Sequence, residues 1–374
     1  MPNRKLFRPT KAMINLDAIR DNVKALNDYL GNETSIIAVV KADGYGHGDV
    51  ETAQAAIEAG AKMVSVATPE EAVRLREFGI SEDILVMGPS PADFAETAMD
   101  LNITVAVSGA EWLEEVCLTK KFDRPLKVHV KIDSGMGRYG VRDVKSLAEI
   151  INFTKDSTQV IVDGVFTHYS CADMEQCETT DEQYAKFMEF VELFTEKPRL
   201  VHASNSAATL LYPNYKLDAI RFGIGLYGIA PSEYVQQKLP FPLKRALSLE
   251  TKLAHVKRLE KGWSVSYGAT YQSLEDEWIG TLPIGYADGL RRGLHGQEVL
   301  IGGKRVPIVG TICMDQCMVK LPEEMPVGEK VVLLGKQENE EINMEEWAER
   351  LGTIPYEIAV SLSKRIPRVY ISNP

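Results

Sequence analysis

The sequence is poor in cysteine, in charge of one sign and in long apolar runs, and each shortage closes off a class of protein. Five cysteines in 374 residues (Cys117, Cys171, Cys177, Cys313, Cys317) are odd in number and hold no C-x-x-C spacing. Neither a disulfide framework nor a zinc or other metal site is expected, and the simplest state is five reduced thiols. Acidic residues outnumber basic ones, 53 to 42, for a net charge of -11, and no block of like charge interrupts the chain. Such a balance does not suit a nucleic acid or an anionic membrane as partner. The longest apolar runs, such as that over 160–166, fall far short of the roughly 20 residues a membrane helix needs. The opening MPNRK leads into no apolar signal segment. A soluble, cytoplasmic protein is expected.

What is present is patterned. With 45% hydrophobic and 25% charged residues, the chain is globular and long enough for two domains. Eight apolar, β-branched runs read as strands, at 35–41, 62–67, 84–87, 103–107, 127–133, 160–167, 199–203 and 217–222. Amphipathic stretches at helical spacing lie between most of them, for example over 69–79 and 144–153. Near-continuous apolar strands alternating with helices indicate a parallel sheet covered on both faces. Eight units in this length predict a (β/α)₈ TIM-type barrel, with a doubly wound open sheet as its rival. The rhythm changes at Leu239-Pro240-Phe241-Pro242, where a helix cannot continue. Closely spaced strand candidates follow at 247–259, 279–282, 298–301, 306–310, 313–321 and 330–334, with a glycine hairpin turn over 301–306 and one helix over 344–351. The expected organisation is a barrel over 1–240 and a mainly antiparallel β domain over 241–374.

Chemistry in such a barrel sits at the carboxyl ends of its strands. The first strand ends in Lys41 and the glycine-rich loop Ala42-Asp-Gly-Tyr45-Gly-His-Gly48. A lysine there either snorkels outward or, desolvated, becomes a Schiff-base nucleophile. Other strand ends carry Lys131 and Arg138, His168, Asn205 and Ser206, and Arg221 followed by Gly223-Ile224-Gly225. Any one of these could be a satisfied structural residue; five polar strand ends on one rim are harder to dismiss. Gly223 to Gly228 matches G-x-G-x-x-G, but Pro231, Pro240 and Pro242 leave no room for the helix a dinucleotide fold requires. Glycines after the last barrel strand suit a phosphate held by backbone N–H groups instead. A lysine and a phosphate cradle on one rim imply pyridoxal 5′-phosphate.

In the second domain the unusual stretches surround Tyr267, Tyr286 and Cys313-Met314-Asp315. Tyr267 taken alone is most simply a packing residue. Cys313 and Cys317, four apart, would share one face of a strand.

These segments together resemble the alanine racemases, over essentially the whole chain. Ala38 to Gly48 is similar to the family's lysine motif, Lys131 to Gly140 to its K-x-D-[ST]-G-M-x-R-x-G segment, and the Tyr267, Tyr286 and Cys313-Met314-Asp315 stretches to its β-domain signatures. The resemblance implies a homodimer with shared active sites that interconverts L- and D-alanine with pyridoxal phosphate, supplying D-alanine for the bacterial cell wall. It implies that Lys41 holds the cofactor and that Tyr267 of the second subunit faces it as the other proton carrier. Inverting a stereocentre needs an acid/base group on each side, so two carriers make chemical sense. By the same likeness Tyr45, Ser206, Gly223, Ile224 and Tyr356 hold the phosphate, with Asn205 beside them. Arg221 meets the pyridine nitrogen, and His168 links Arg221 to Tyr267. Arg138 and the Met314 amide of the second subunit meet the substrate carboxylate. Lys131 occupies a position often carbamylated to N6-carboxylysine, Tyr286, Cys313 and Asp315 have supporting places, and Tyr267 with Tyr356 forms a gate. Tyr169-Ser170-Cys171 and Met87 depart from the family's usual residues. The alternatives are a serine or broad-specificity racemase or an amino-acid decarboxylase of the same barrel type, and a non-catalytic pyridoxal phosphate carrier, which would lack the β domain.

Overall fold

The computed structural model describes residues 6–31, 33–119, 123–155, 157–175 and 177–372. The first five residues, on which part of the leader-segment expectation rests, lie outside them. The chain divides into two compact units, one of residues 1–16, 45–47 and 246–374, the other of 17–44 and 48–245. No helix among the described residues is long and apolar enough to cross a membrane.

The first strand, β1 (Lys11–Asn15), belongs to the β-rich unit. The other unit is a closed, parallel eight-stranded barrel of β2 (Ser35–Val39), β3 (Met63–Val66), β4 (Asp83–Val86), β5 (Ile103–Val107), β6 (Leu126–Lys131), β7 (Val160–Phe166), β8 (Leu200–His202) and β9 (Ala219–Phe222). These are the eight expected strands, with ends moved by a few residues. The intervening helices form where the sequence supplies both periodicity and stops. Thr68 and Glu71 make a reciprocal capping box at the start of the helix Pro69–Glu77, Pro69 occupies its first turn, and Gly79 follows its end with φ 89°.

Strand register decides what the barrel encloses. Ile37 pairs with Met63 and with Arg221, His129 with Gly164, Lys131 with Phe166, and Phe166 with His202. Side chains alternate faces along a strand, so these residues share one face. Ile37, Met63, Leu85, Leu200 and Ala219 pack together as a buried apolar cluster on it. Each large member stabilises the fold by roughly 1.5–3 kcal/mol through burial. The same face also carries His129, His202, Lys131 and Arg221, all buried.

The β-rich unit is mainly antiparallel. Its sheet runs His255–Leu259, Glu277–Leu282, Cys317–Leu321, Lys304–Val309, Glu298–Ile301, Lys330–Gln337, β10 (Leu247–Lys252), β1 and Arg368–Ile371. The single strand expected over 247–259 is two strands, because the chain changes neighbours there: the Leu253 amide donates to Glu329 O, the Ala254 amide to Thr281 O. Gly302 and Gly303, at φ 54° and 69°, make the expected hairpin turn.

Two cysteine expectations are corrected. Cys313 is not on the strand with Cys317; the turn that carries its N–H to Gln316 O (2.9 Å) precedes Cys317–Leu321. Cys171 and Cys177 form a disulfide, since the segment after β7 doubles back through a Met174 N–H to Cys171 O bond and brings their Cα atoms to 6.2 Å. A search for C-x-x-C spacing could not detect a pair closed by a turn.

Candidate active site

Lys41 follows β2 in a turn of left-handed backbone. Ala42, Asp43, Gly44 and Tyr45 have φ of 53°, 55°, 59° and 50°. Three of them carry a Cβ, which makes this conformation unfavourable by about 1–2 kcal/mol each. Specific bonds impose it: the Gly44 amide donates to Val40 O (2.9 Å), and the Ala42 amide to Glu71 Oε1 (2.6 Å). Glu71 also accepts from the Ala67 and Thr68 amides, so one carboxylate ties the ends of two neighbouring strands. Burial lowers the Lys41 pKa, the guanidinium charges of Arg138 and Arg221 add to that, and Glu71 opposes it. The neutral amine is thereby favoured over an ordinary lysine's.

Arg221, on β9, is 3% exposed and is held from several sides. Nη2 donates to Thr167 O and Ala203 O, both at 2.7 Å, and approaches His168 Nδ1 at 3.2 Å. Nη1 donates to His202 Nδ1 (2.8 Å) and His202 O (3.3 Å). Nε is left as the one nitrogen of this guanidinium without a bond to the described residues. Because a guanidinium has no acceptor, His168 Nδ1 is the unprotonated nitrogen and its proton sits on Nε2. Burial and the cations Arg221, Arg138, Lys131 and Lys41 hold the His168 pKa well below the usual value, so the ring is neutral.

Lys131 ends β6 with Nζ donating to Ile132 O (2.7 Å) and lying 5.4 Å from the Phe166 ring centre. Asp133 shapes the following loop by accepting from the Gly135 and Gly137 amides (3.2 and 2.9 Å), and Arg138 is exposed beyond it. Asn205 caps the helix Ser206–Leu211. Ser206 Oγ accepts from the Gly223 and Gly225 amides (2.9 and 3.4 Å), drawing the glycine turn toward that helix, with Ile224 opening a 3-10 turn between them. The barrel unit thus gathers Lys41, Lys131, Arg138, His168, Asn205, Ser206, Arg221, Gly223 and Ile224 at one rim.

The remaining candidates lie in the β-rich unit. The Tyr45 and Tyr356 rings are 6.1 Å apart. Tyr267, Met314 and Tyr286 are 73%, 52% and 41% exposed. They are nevertheless held in place: Thr311 Oγ1 donates to Tyr267 O (2.9 Å), and the Tyr286 and Ala287 amides donate to Cys313 O and Met314 O (both 3.0 Å). Cys313 Sγ lies 3.3 Å from Ser266 Oγ, and Asp315 accepts from Arg365 (2.8 Å). Glu71 was missed by sequence reasoning, although Thr68-x-x-Glu71 is a visible capping box, and His202 was read only as part of a strand end.

Models of the alanine racemase N-terminal and C-terminal domains match residues 14–231 and 246–370. The chain belongs to the alanine racemase family. Alanine racemase of Geobacillus stearothermophilus is 46% identical over 367 residues, covering 98% of this chain and 94% of that one. The enzyme of Anoxybacillus flavithermus is 44% identical over 369 residues, covering 98% and 96%. The crystal structure of alanine racemase from Bacillus anthracis with bound L-Ala-P superposes with a TM-score of 0.95 at 42% identity, covering 99% of this chain and 97% of that one. The protein is an amino-acid racemase, an isomerase. A histidine racemase from Leuconostoc mesenteroides shares the fold at TM-score 0.92 and 30% identity, covering 99% and 100%, so this architecture serves more than one amino acid.

Proposed function

We propose that the rim holds pyridoxal 5′-phosphate and that the enzyme racemises alanine with two proton carriers, Lys41 on one face and Tyr267 of the partner subunit on the other. The observation that carries this reading is the convergence of Lys41, Lys131, His168 and Arg221 at one end of the barrel, beside the Ser206 and Gly223 turn. The residues fit the cofactor chemically: a lysine whose neutral amine is favoured, a fixed guanidinium with one donor to spare, and, for a phosphate, the Ser206 hydroxyl, which accepts from the Gly223 and Gly225 amides and keeps its own proton to donate. Tyr45, Tyr356, Asn205 and Ile224 complete that phosphate set.

When bound, the cofactor supplies the electron sink that makes the substrate α-proton acidic. The chain supplies placement and proton handling. Lys41 Nζ takes or returns the proton on its side, and the Tyr267 phenol does so on the other. Neutral His168 presents Nε2–H as a donor toward that phenol. Arg221 only donates, so it leaves the pyridine nitrogen unprotonated. A cofactor held this way would be a weaker electron sink, which would disfavour transamination and decarboxylation. Arg138, oriented by Lys131 as N6-carboxylysine, and the Met314 amide of the partner subunit bind the carboxylate. The well-held group of Tyr267, Tyr286, Cys313, Met314 and Asp315, exposed except for half-buried Cys313, supports a homodimer with shared sites, and Tyr267 with Tyr356 leaves room for a methyl side chain. The enzyme works in the cytoplasm, and its product D-alanine supplies cell-wall peptidoglycan.

The test is α-proton exchange in D₂O from each alanine enantiomer, with Lys41→Ala and Tyr267→Phe beside wild type. Each variant should lose exchange from one enantiomer more than from the other. Equal loss for both enantiomers in both variants refutes the two-carrier assignment, CO₂ release points to a decarboxylase, and faster turnover of serine than of alanine points to another racemase.

A further inference from the structure

Beneath the rim the barrel encloses a second polar line. Arg221 Nη1 lies 2.8 Å from His202 Nδ1, His202 Nε2 lies 3.0 Å from His129 Nδ1, and His129 Nε2 lies 3.4 Å from Asp163 Oδ2. Both rings are 0% exposed, and Asp163 is 8% exposed. A guanidinium can only donate and a carboxylate can only accept, so the two ends dictate the middle. His202 accepts at Nδ1 and carries its proton on Nε2; His129 does the same and donates to Asp163. Any other tautomer sets two N–H groups, or two lone pairs, against each other. Burial lowers the pKa of both rings, in keeping with two neutral imidazoles.

The line is built by specific backbone features. The register of β6 against β7 steps from Val128–Val162 to His129–Gly164, which leaves Asp163 as the extra residue of a bulge and re-aims its side chain. Gly164 makes room for the ring, since a Cβ there would stand 2.6–2.8 Å from His129 ring atoms. Phe166 stacks on His202 with centroids 4.9 Å apart and planes 4° from parallel. Arg199 holds the Asp163 carboxylate through two bonds of 2.8 and 2.6 Å.

We propose that Asp163 and His129 are positioning residues that act through His202 to hold the Arg221 guanidinium in the one rotation that leaves its Nε–H free for the cofactor. The proposal rests on the reading that Arg221 faces the pyridine nitrogen, but the direction of the line can be measured independently. With ¹⁵N-histidine in the holoenzyme, whose chain has six histidines, both His129 and His202 should show the neutral Nε2–H form at neutral pH. His129→Leu removes the acceptor facing His202. It should mix the His202 tautomers and raise transamination per racemisation event about tenfold, the effect of one lost buried hydrogen bond. His129→Gln offers a carbonyl to His202 and an N–H to Asp163, and should restore the wild-type ratio.

A wild-type His202 protonated on Nδ1 overturns the proposal even if the leucine variant fails to fold. So does equal behaviour of the leucine and glutamine variants, which would reduce the line to packing. Wild-type protein that binds no pyridoxal phosphate refutes the cofactor reading and, with it, the stated purpose of the line, and is told apart from the other outcomes by the missing cofactor absorbance.

Discussion

Lys131 offers a quantitative test of the rim's electrostatics. Its side chain is buried, and desolvation, reinforced by Arg221 and Arg138 against the opposing charge of Asp133, brings its pKa down to about 7. An ordinary lysine is neutral in roughly one molecule in 2,500 at pH 7, whereas here about half are, an enrichment of roughly a thousandfold. Carbon dioxide adds only to the neutral amine, forming an N–C bond as the nitrogen gives up a proton. Equilibration with ¹³C-bicarbonate should therefore give a carbamate signal that rises as pH passes through 7, levels off above it, and is missing in Lys131→Met. A wild type without any Lys131-dependent carbamate in alkaline bicarbonate would refute the reasoning. The sign of the stability effect follows too. The folded pKa lies below the unfolded one, so the unfolded chain binds more protons between about 7 and 10.4 and stability rises with pH across that window. Below it the burial penalty, about 5 kcal/mol before relaxation of the site, is fully present.

Arg221→Glu should raise transamination relative to racemisation, because a carboxylate favours a protonated pyridine nitrogen. Pyruvate formed per racemisation event measures this, and an unchanged ratio would remove the proposed role; the variant should also lose about 3–5 kcal/mol of stability by leaving buried acceptors unpaired. Glu71→Gln should destabilise the enzyme by about 1–2 kcal/mol in denaturant titrations, since one amide oxygen cannot replace two carboxylate oxygens accepting three N–H groups. It should also lower the Lys41 pKa further, because Glu71 opposes the cations there; pH-dependent amine labelling of cofactor-stripped enzyme would show no change if that account is wrong.

The barrel was legible because its strands are apolar runs set off by glycine stops and capped helices, signals that are local in sequence. The group of residues at the rim was legible for the same reason, since Lys41, Lys131, His168, Asn205 and Arg221 all stand at or just beyond strand ends. What stayed hidden depends on register and on distant pairing. That His129 and His202 meet in the interior follows from the parity of β6, β7 and β8, which a single strand does not reveal, and from a bulge at Asp163. The Cys171–Cys177 bond needed a turn that spacing alone does not announce. The left-handed backbone at Ala42 is the opposite of what its residue type prefers, and the bonds that hold it, Gly44 N–H to Val40 O and Ala42 N–H to Glu71 well along the chain, are not announced by the local sequence.

The strand β1 carries a consequence for how the molecule is made. It pairs antiparallel with β10 and parallel with Arg368–Ile371, the last strand of the chain. A ribosome therefore releases the first strand hundreds of residues before its second neighbour exists, and that side of the sheet is completed only once Arg368–Ile371 has emerged. The antiparallel neighbour β10 emerges earlier and can cover one edge, but the edge that meets Arg368–Ile371 stays open to pairing elsewhere until that strand is made, and any truncation before Arg368 would leave that edge open.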